Sequence, residues 1–136
     1  MTTAIGEILN LRDYVNISII SSVLLAISYL SLSPVSTPST GLPVAVIAHF
    51  GMYFSLAAAL LVYFHEKNHT HLDAVILAGM TGLLFELVQS QLGYRTFSFV
   101  DIAINFAGAG LVLMEQKVPV VHQVVKLEDL MLEKIF

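Results

Sequence analysis

The sequence predicts an all-α membrane protein, with four transmembrane helices between amphipathic N- and C-terminal segments. Two features of composition carry this reading: 57% of the 136 residues are hydrophobic and only 12% are charged. A soluble domain, whose surface must face water, carries about twice that charged share. The third observation is positional. Residues 14–65 contain no Asp, Glu, Lys or Arg. Mean hydropathy is correspondingly high, at +0.83.

The uncharged stretch is too long for one span, because about 20 apolar residues cross about 30 Å of hydrocarbon. It is divided by Ser33-Pro34-Val35-Ser36-Thr37-Pro38-Ser39-Thr40-Gly41-Leu42-Pro43. Prolines, glycine and hydroxyl residues at this density form a loop. Span one is therefore expected at about 16–32 and span two at about 43–64. Pro43 suits a first helical turn, where the missing N–H loses no bond. After a short polar loop at 65–71, span three runs from about 72 to 92. A break at Gly93-Tyr94-Arg95-Thr96 leads into span four, at about 98–114. Ala107, Gly108, Ala109 and Gly110 allow close helix approach there, as Gly79 and Gly82 do on span three. Lipid offers no partner to a free backbone group, so every span is helical.

Three segments follow: an interfacial 1–15, a transmembrane 16–114 and an amphipathic tail 115–136. Ile5, Ile8 and Leu9 share one face before Arg12. In the tail, Val121, Val124, Val125, Met131, Leu132 and Ile135 share a face opposite His122, Lys126, Asp129 and Glu133, with Glu128 intruding. Such a tail lies on the membrane or docks on a partner. The first residues lack the positive n-region of a cleaved signal peptide.

Cations set the orientation. Arg12, Lys67, Lys117, Lys126 and Lys134 all fall on one side of a four-span chain, and Arg95 alone on the other. The positive-inside rule puts both termini in the cytoplasm of a multi-pass cell-membrane protein. The sequons Asn16-Ile17-Ser18 and Asn68-His69-Thr70 fall on that cytoplasmic side and read as chance matches.

Other function classes drop out. Six Lys and Arg against a net charge of −4 give no nucleic-acid footprint. Without cysteine there is no disulfide, thiolate metal site or Cys nucleophile. His65 and His69 are spaced i,i+4, but no carboxylate completes a metal site around them and His71. No metal or cofactor is expected.

Polar residues inside spans are expensive and mark function by default. His49 in span two, Glu86 in span three and Asn105 in span four all lie about 9–10 Å below the outer helix ends. Gln89 and Asp101 lie nearer the surface. His49 and Tyr53 share a helix face, as do Glu86 and Gln89, and Asp101 and Asn105. Arg95 hangs above two carboxylates. Structural readings compete with this one. Ser98-Phe99-Val100-Asp101 is a capping-box pattern, Arg95 suits an ion pair with Glu86 or Asp101, and Asn105 suits interhelical bonding. Glu86 is the hardest to explain by stability alone.

The ordered set resembles the VanZ-like family. Its pattern is H-F-x-x-Y, then E-x-x-Q, a turn with R-T-x-S, and D-x-x-x-N-x-x-G. Here these are His49-Phe50-x2-Tyr53, Glu86-x2-Gln89, Arg95-Thr96-Phe97-Ser98 and Asp101-x3-Asn105-x2-Gly108. Ala45 and Val46 replace an Asp-Lys pair common among relatives, and Gly93-Tyr94 replaces Pro-Gly. The resemblance implies a small membrane protein from a family whose name-giving member is associated with resistance to teicoplanin-type glycopeptides.

Two functions fit. One is an outer-face site that binds or processes a cell-envelope or lipid-linked head group. His49, Tyr53, Glu86, Gln89, Arg95, Asp101 and Asn105 would bind it. Arg95 would meet an anionic group, and Glu86 and His49 are the candidates for proton chemistry. No nucleophile stands beside a base in the pattern, so catalysis stays open. The other is a non-catalytic small subunit or scaffold of a larger membrane assembly, with lipids and other membrane chains as partners. A transporter is a third reading, thin-walled unless the chain oligomerises.

Overall fold

The computed structural model describes residues 2–34, 42–65, 67, 69–116 and 120–134. These residues are all-helical, with no strand among them. The elements are α1 (Thr2–Leu32), α2 (Leu42–Phe64), α3 (His71–Gln89), α4 (Phe99–Gly110), a 3₁₀ segment (Leu111–Gln116) and α5 (Val120–Glu133). Three stretches, Leu11–Leu32, Val44–Phe64 and His71–Gln89, are long and apolar enough to cross a membrane, and Phe99–Met114 is a shorter apolar run.

Residues 2–15 do not form a separate element. The helix runs unbroken from Thr2 through the first apolar stretch; Ile5, Ile8 and Leu9 have side chains outside the described residues. The proline-rich divider at 35–41 also lies outside them, but α1 and α2 end and begin at its edges. Helix α3 starts on a closed capping box: Thr70 Oγ1 accepts the Asp73 N–H, and the Asp73 carboxylate accepts the Thr70 N–H. It ends at Gln89, three residues before the expected Leu92. Helix α4 is also shorter than expected. Gly108 and Gly110 weaken helix propensity, and past Gly110 the chain tightens into the 3₁₀ segment.

Large apolar side chains face outward: Phe99 is 78% exposed, Leu25 71% and Ile47 68%. The interior holds small residues, with Ala57, Ala74, Ala78 and Ala109 fully buried around Ile27, Tyr53 and Leu56. This arrangement brings the backbones close. A Cβ on Gly108 would sit 2.3 Å from the Phe50 carbonyl oxygen, so α4 lies directly on α2. A Cβ on Gly79 would meet the Phe106 ring at 2.1 Å, joining α3 to α4 in the same way. Helices α2, α3 and α4 form the tight core, and α1 leans mainly on α2.

Helix α5 folds back onto its own bundle. Val125 is buried there, while Lys126 faces outward. Val124 and Met131 from the expected apolar face, joined by Leu127, lie over a gap between α1 and α2. Of the other expected tail positions, the side chains of Val121, His122, Glu128, Asp129, Leu132, Glu133 and Ile135 fall outside the described residues, as does Lys117. At the same end of the bundle, Lys67 pairs with Asp13 at 3.0 Å and lies over the Tyr63 ring, tying α1 to the α2–α3 loop. His69, read above with His65 as a possible ligand pair, stacks on Phe64 and pairs with Asp73.

Candidate functional site

At the opposite end, α2, α3 and α4 bring i,i+4 pairs together. His49 and Tyr53 come from α2, Gly82 and Glu86 from α3, and Asp101 and Asn105 from α4. Asn105, 1% exposed, accepts through Oδ1 from His49 Nδ1 at 3.0 Å. With the amide oxygen as acceptor, Nδ1 is the donor in this bond. Gly82 makes this convergence possible. A Cβ there would sit 2.8 Å from Asn105 Nδ2 and 3.1 Å from the Tyr53 ring.

Tyr53 is 1% exposed, and its hydroxyl has no hydrogen-bond partner among the described residues. Glu86 is 2% exposed. Its Oε1 accepts the Ser98 N–H at 2.5 Å, while Ser98 Oγ accepts the Asp101 N–H at 3.1 Å. The expected Ser98–Asp101 capping box is therefore half closed. The N–H that Asp101 would receive goes to Glu86, and the carboxylate of one helix caps the start of the next. A negative group is favourable there because the first N–H groups of α4 lack intrahelical partners.

The charged rim is less tightly held. Arg95 and Asp101 are half-buried. Both lie within Coulombic range of Glu86, as does His49. Among the described residues, neither the Arg95 guanidinium nor the Asp101 carboxylate makes an ion pair or hydrogen bond. The direct Arg95 ion pair considered from sequence is not formed.

Gln89 turns away from this group. Its Nε2 donates to the Ser31 carbonyl at 2.7 Å, and the Tyr94 hydroxyl donates to the Leu32 carbonyl at 2.6 Å. These carbonyls end α1, where the last turn has no intrahelical donors. Gln89 and Tyr94 thus cap a helix that has no glycine of its own at its end. The sequence carried a signal for this pairing in the donor-poor end of α1, next to a turn with one tyrosine and one deep glutamine. Ser98 also matters in a way its motif does not reveal, through its backbone N–H.

The arrangement holds a buried carboxylate, a buried phenol and an imidazole–amide pair beneath a half-buried arginine and aspartate. These groups can accept and donate hydrogen bonds to a polar head group and hold a proton. Comparison with known proteins points to one family. The family model VanZ/LLP1 matches residues 2–116. An uncharacterized protein of Schizosaccharomyces pombe is 36% identical over 98 residues, 68% of this chain and 57% of that protein. The chain therefore spans less than two thirds of this relative's length. No solved structure matches. With a family match covering nearly the whole bundle and the spaced motifs gathered at one end of it, the chain belongs to the VanZ/LLP1 family.

Proposed function

We propose that this protein crosses the membrane four times and binds a phosphate-bearing lipid head group at the α3–α4 end of the bundle. The length of the fourth apolar stretch supports the span count. Twelve α-helical residues rise about 18 Å and the four 3₁₀ residues to Met114 about 8 Å, together about 26 Å and near the hydrocarbon thickness. The cation bias supports cytoplasmic termini in the cell membrane and an outward-facing site.

One observation carries the binding reading. Two half-buried charged side chains, Arg95 and Asp101, stand unpaired among the described residues above the buried Glu86 and Tyr53. Arg95 meets the phosphate. Asp101, Tyr53 and the imidazole–amide pair of His49 and Asn105 fix the rest of the head group, and Glu86 and His49 handle any proton that moves. A fission-yeast relative favours a head group that eukaryotic membranes also carry over a bacterial wall precursor.

The test is binding of defined phospholipids to the protein in nanodiscs, comparing the parent with Arg95→Gln. A folded variant that no longer distinguishes phosphate-bearing from phosphate-free lipids supports the reading; unchanged discrimination overturns it. A scaffold role is the second reading. The ties from Gln89 and Tyr94 to the end of α1 favour it, because they join helices without facing any head group. Under that reading the same variant keeps its partners and its phenotype.

A further inference from the structure

The polar end of the bundle is short of cations. Arg95 is the only Lys or Arg in residues 68–116, and residues 13–66 have none. Two acids stand with it, in different conditions. Glu86 is 2% exposed, and its Oε1 is taken by the Ser98 N–H. Asp101 is half-buried, and its carboxylate has no hydrogen bond or ion pair among the described residues. Arg95 is likewise half-buried and unpaired among them, and both lie within Coulombic range of Glu86. Partly burying two opposite charges without partners is unfavourable. A ligand that relieves both carries one group for each.

A phosphate alone satisfies Arg95 but sets its charge against the acids. An ammonium on the same ligand removes that conflict, because it neutralises Asp101 while the phosphate neutralises Arg95. A primary ammonium brings N–H donors to the carboxylate. A trimethylammonium brings none and is held instead by aromatic faces. A serine head group adds a carboxylate, for which this end has no second Lys or Arg. The approach to Asp101 is apolar. Phe99 and Val100, directly before it in the chain, are 78% and 67% exposed, and Phe97 packs edge-on against Phe99 at 4.8 Å. Exposed apolar side chains of this size mark contact with a membrane or a partner, and beside a head-group site they suit the acyl part of the same lipid. Given a phosphate on Arg95, as proposed for this site, we infer that the ligand is an ethanolamine phospholipid, with its phosphate on the Arg95 guanidinium and its primary ammonium on the Asp101 carboxylate.

The test uses the full chain purified in detergent. Native mass spectrometry reads capture from an equimolar mixture of phosphatidylethanolamine, phosphatidylcholine, phosphatidylglycerol and diacylglycerol with matched acyl chains. The unmodified chain is expected to capture the ethanolamine lipid about tenfold better than the choline or glycerol lipid, the effect of one charge-assisted hydrogen bond. Asp101→Ala brings the ethanolamine and choline lipids level, and Arg95→Gln lowers capture of both. The lipid series on the unmodified chain needs no substitution and so does not depend on how a variant folds. Equal capture of the ethanolamine and choline lipids, each still preferred to diacylglycerol, overturns this inference and leaves the phosphate reading standing. Diacylglycerol captured as strongly as the phospholipids defeats both. An ethanolamine preference that persists in folded Asp101→Ala overturns the assignment to Asp101. Free phosphoethanolamine that displaces the lipid at equal concentration overturns the lipid as its source.

Discussion

The Glu86 carboxylate accepts the Ser98 N–H at 2.5 Å and takes the place that Asp101 would hold in a closed capping box. One buried acid thereby joins the end of α3 to the start of α4. It also leaves the Asp101 carboxylate half-buried at the rim, with no hydrogen bond or ion pair among the described residues. The contrast with Thr70 and Asp73, which close their box at the start of α3, shows how much a neighbouring helix changes an identical local pattern.

The first prediction separates acceptor from charge at Glu86. Glu86→Ala leaves the Ser98 N–H without its partner and costs about 1.5–3 kcal/mol, the usual range for a bond to a charged group. Glu86→Gln keeps an oxygen in place and costs about 1 kcal/mol or less. Thermal melts in detergent read the difference. Equal losses in the two variants would show that the charge, and not the hydrogen bond, holds the helices together.

Arg95 and Glu86 are neighbours without being an ion pair. A double-mutant cycle of Arg95→Gln and Glu86→Gln is therefore expected to give a coupling below about 1 kcal/mol. A direct buried pair loses about 3–5 kcal/mol when one member is removed. Arg95→Gln alone keeps the melting temperature. A strong coupling would put the guanidinium on the carboxylate and favour the scaffold reading.

The glycines divide by what a methyl group would meet. Gly108→Ala drives a Cβ onto the Phe50 backbone, which cannot swing aside, and costs about 1–3 kcal/mol or more. Gly79→Ala meets the Phe106 ring first, a side chain that can turn, and costs less. Gly51→Ala, inside α2 with nothing within 4 Å, is expected to stabilise by about 0.5–1 kcal/mol. Ranked melting temperatures check the series. A neutral Gly108→Ala would mean that α2 and α4 do not touch at Phe50.

At the other end, the bond to Asp13 holds the Lys67 ammonium above its ordinary value of 10.5. A raised lysine contributes stability that is fully present below the unfolded value and lost as pH rises through the folded one. The clasp between α1 and the α2–α3 loop is thus intact at neutral pH and, as Lys67 loses its proton, opens in alkali above 10.5. In Asp13→Asn that alkaline step disappears. Its persistence would assign the step to another group.

Orientation is open to labelling from outside the cell. Gly93 is exposed, with nothing within 4 Å of its would-be Cβ, so Gly93→Cys adds an accessible thiol without strain. It is expected to react with an impermeant reagent, while Asn68→Cys is protected until the membrane is opened. The reverse pattern inverts the topology.

The sequence by itself determined the helical class, the ends of α1 and α2 on either side of a proline-rich divider, and the grouping of His49, Tyr53, Glu86, Asp101 and Asn105 at one end. Composition and helical rise suffice for these, because a fixed rise of about 1.5 Å per residue converts position along the chain into depth, and i,i+4 spacing into a shared face. Depth and face do not say which neighbour a side chain meets. The tertiary structure decided that Glu86 bonds the Ser98 N–H and that Gln89 serves the end of α1. It also decided that α4 gives way to a 3₁₀ turn at Gly110 and that α5 closes over the gap between α1 and α2. Each outcome depends on how closely two backbones approach and which unpaired group then lies within about 3 Å of a donor. That distance is fixed only when Gly82, Gly108 and the interior alanines let the helices settle against one another.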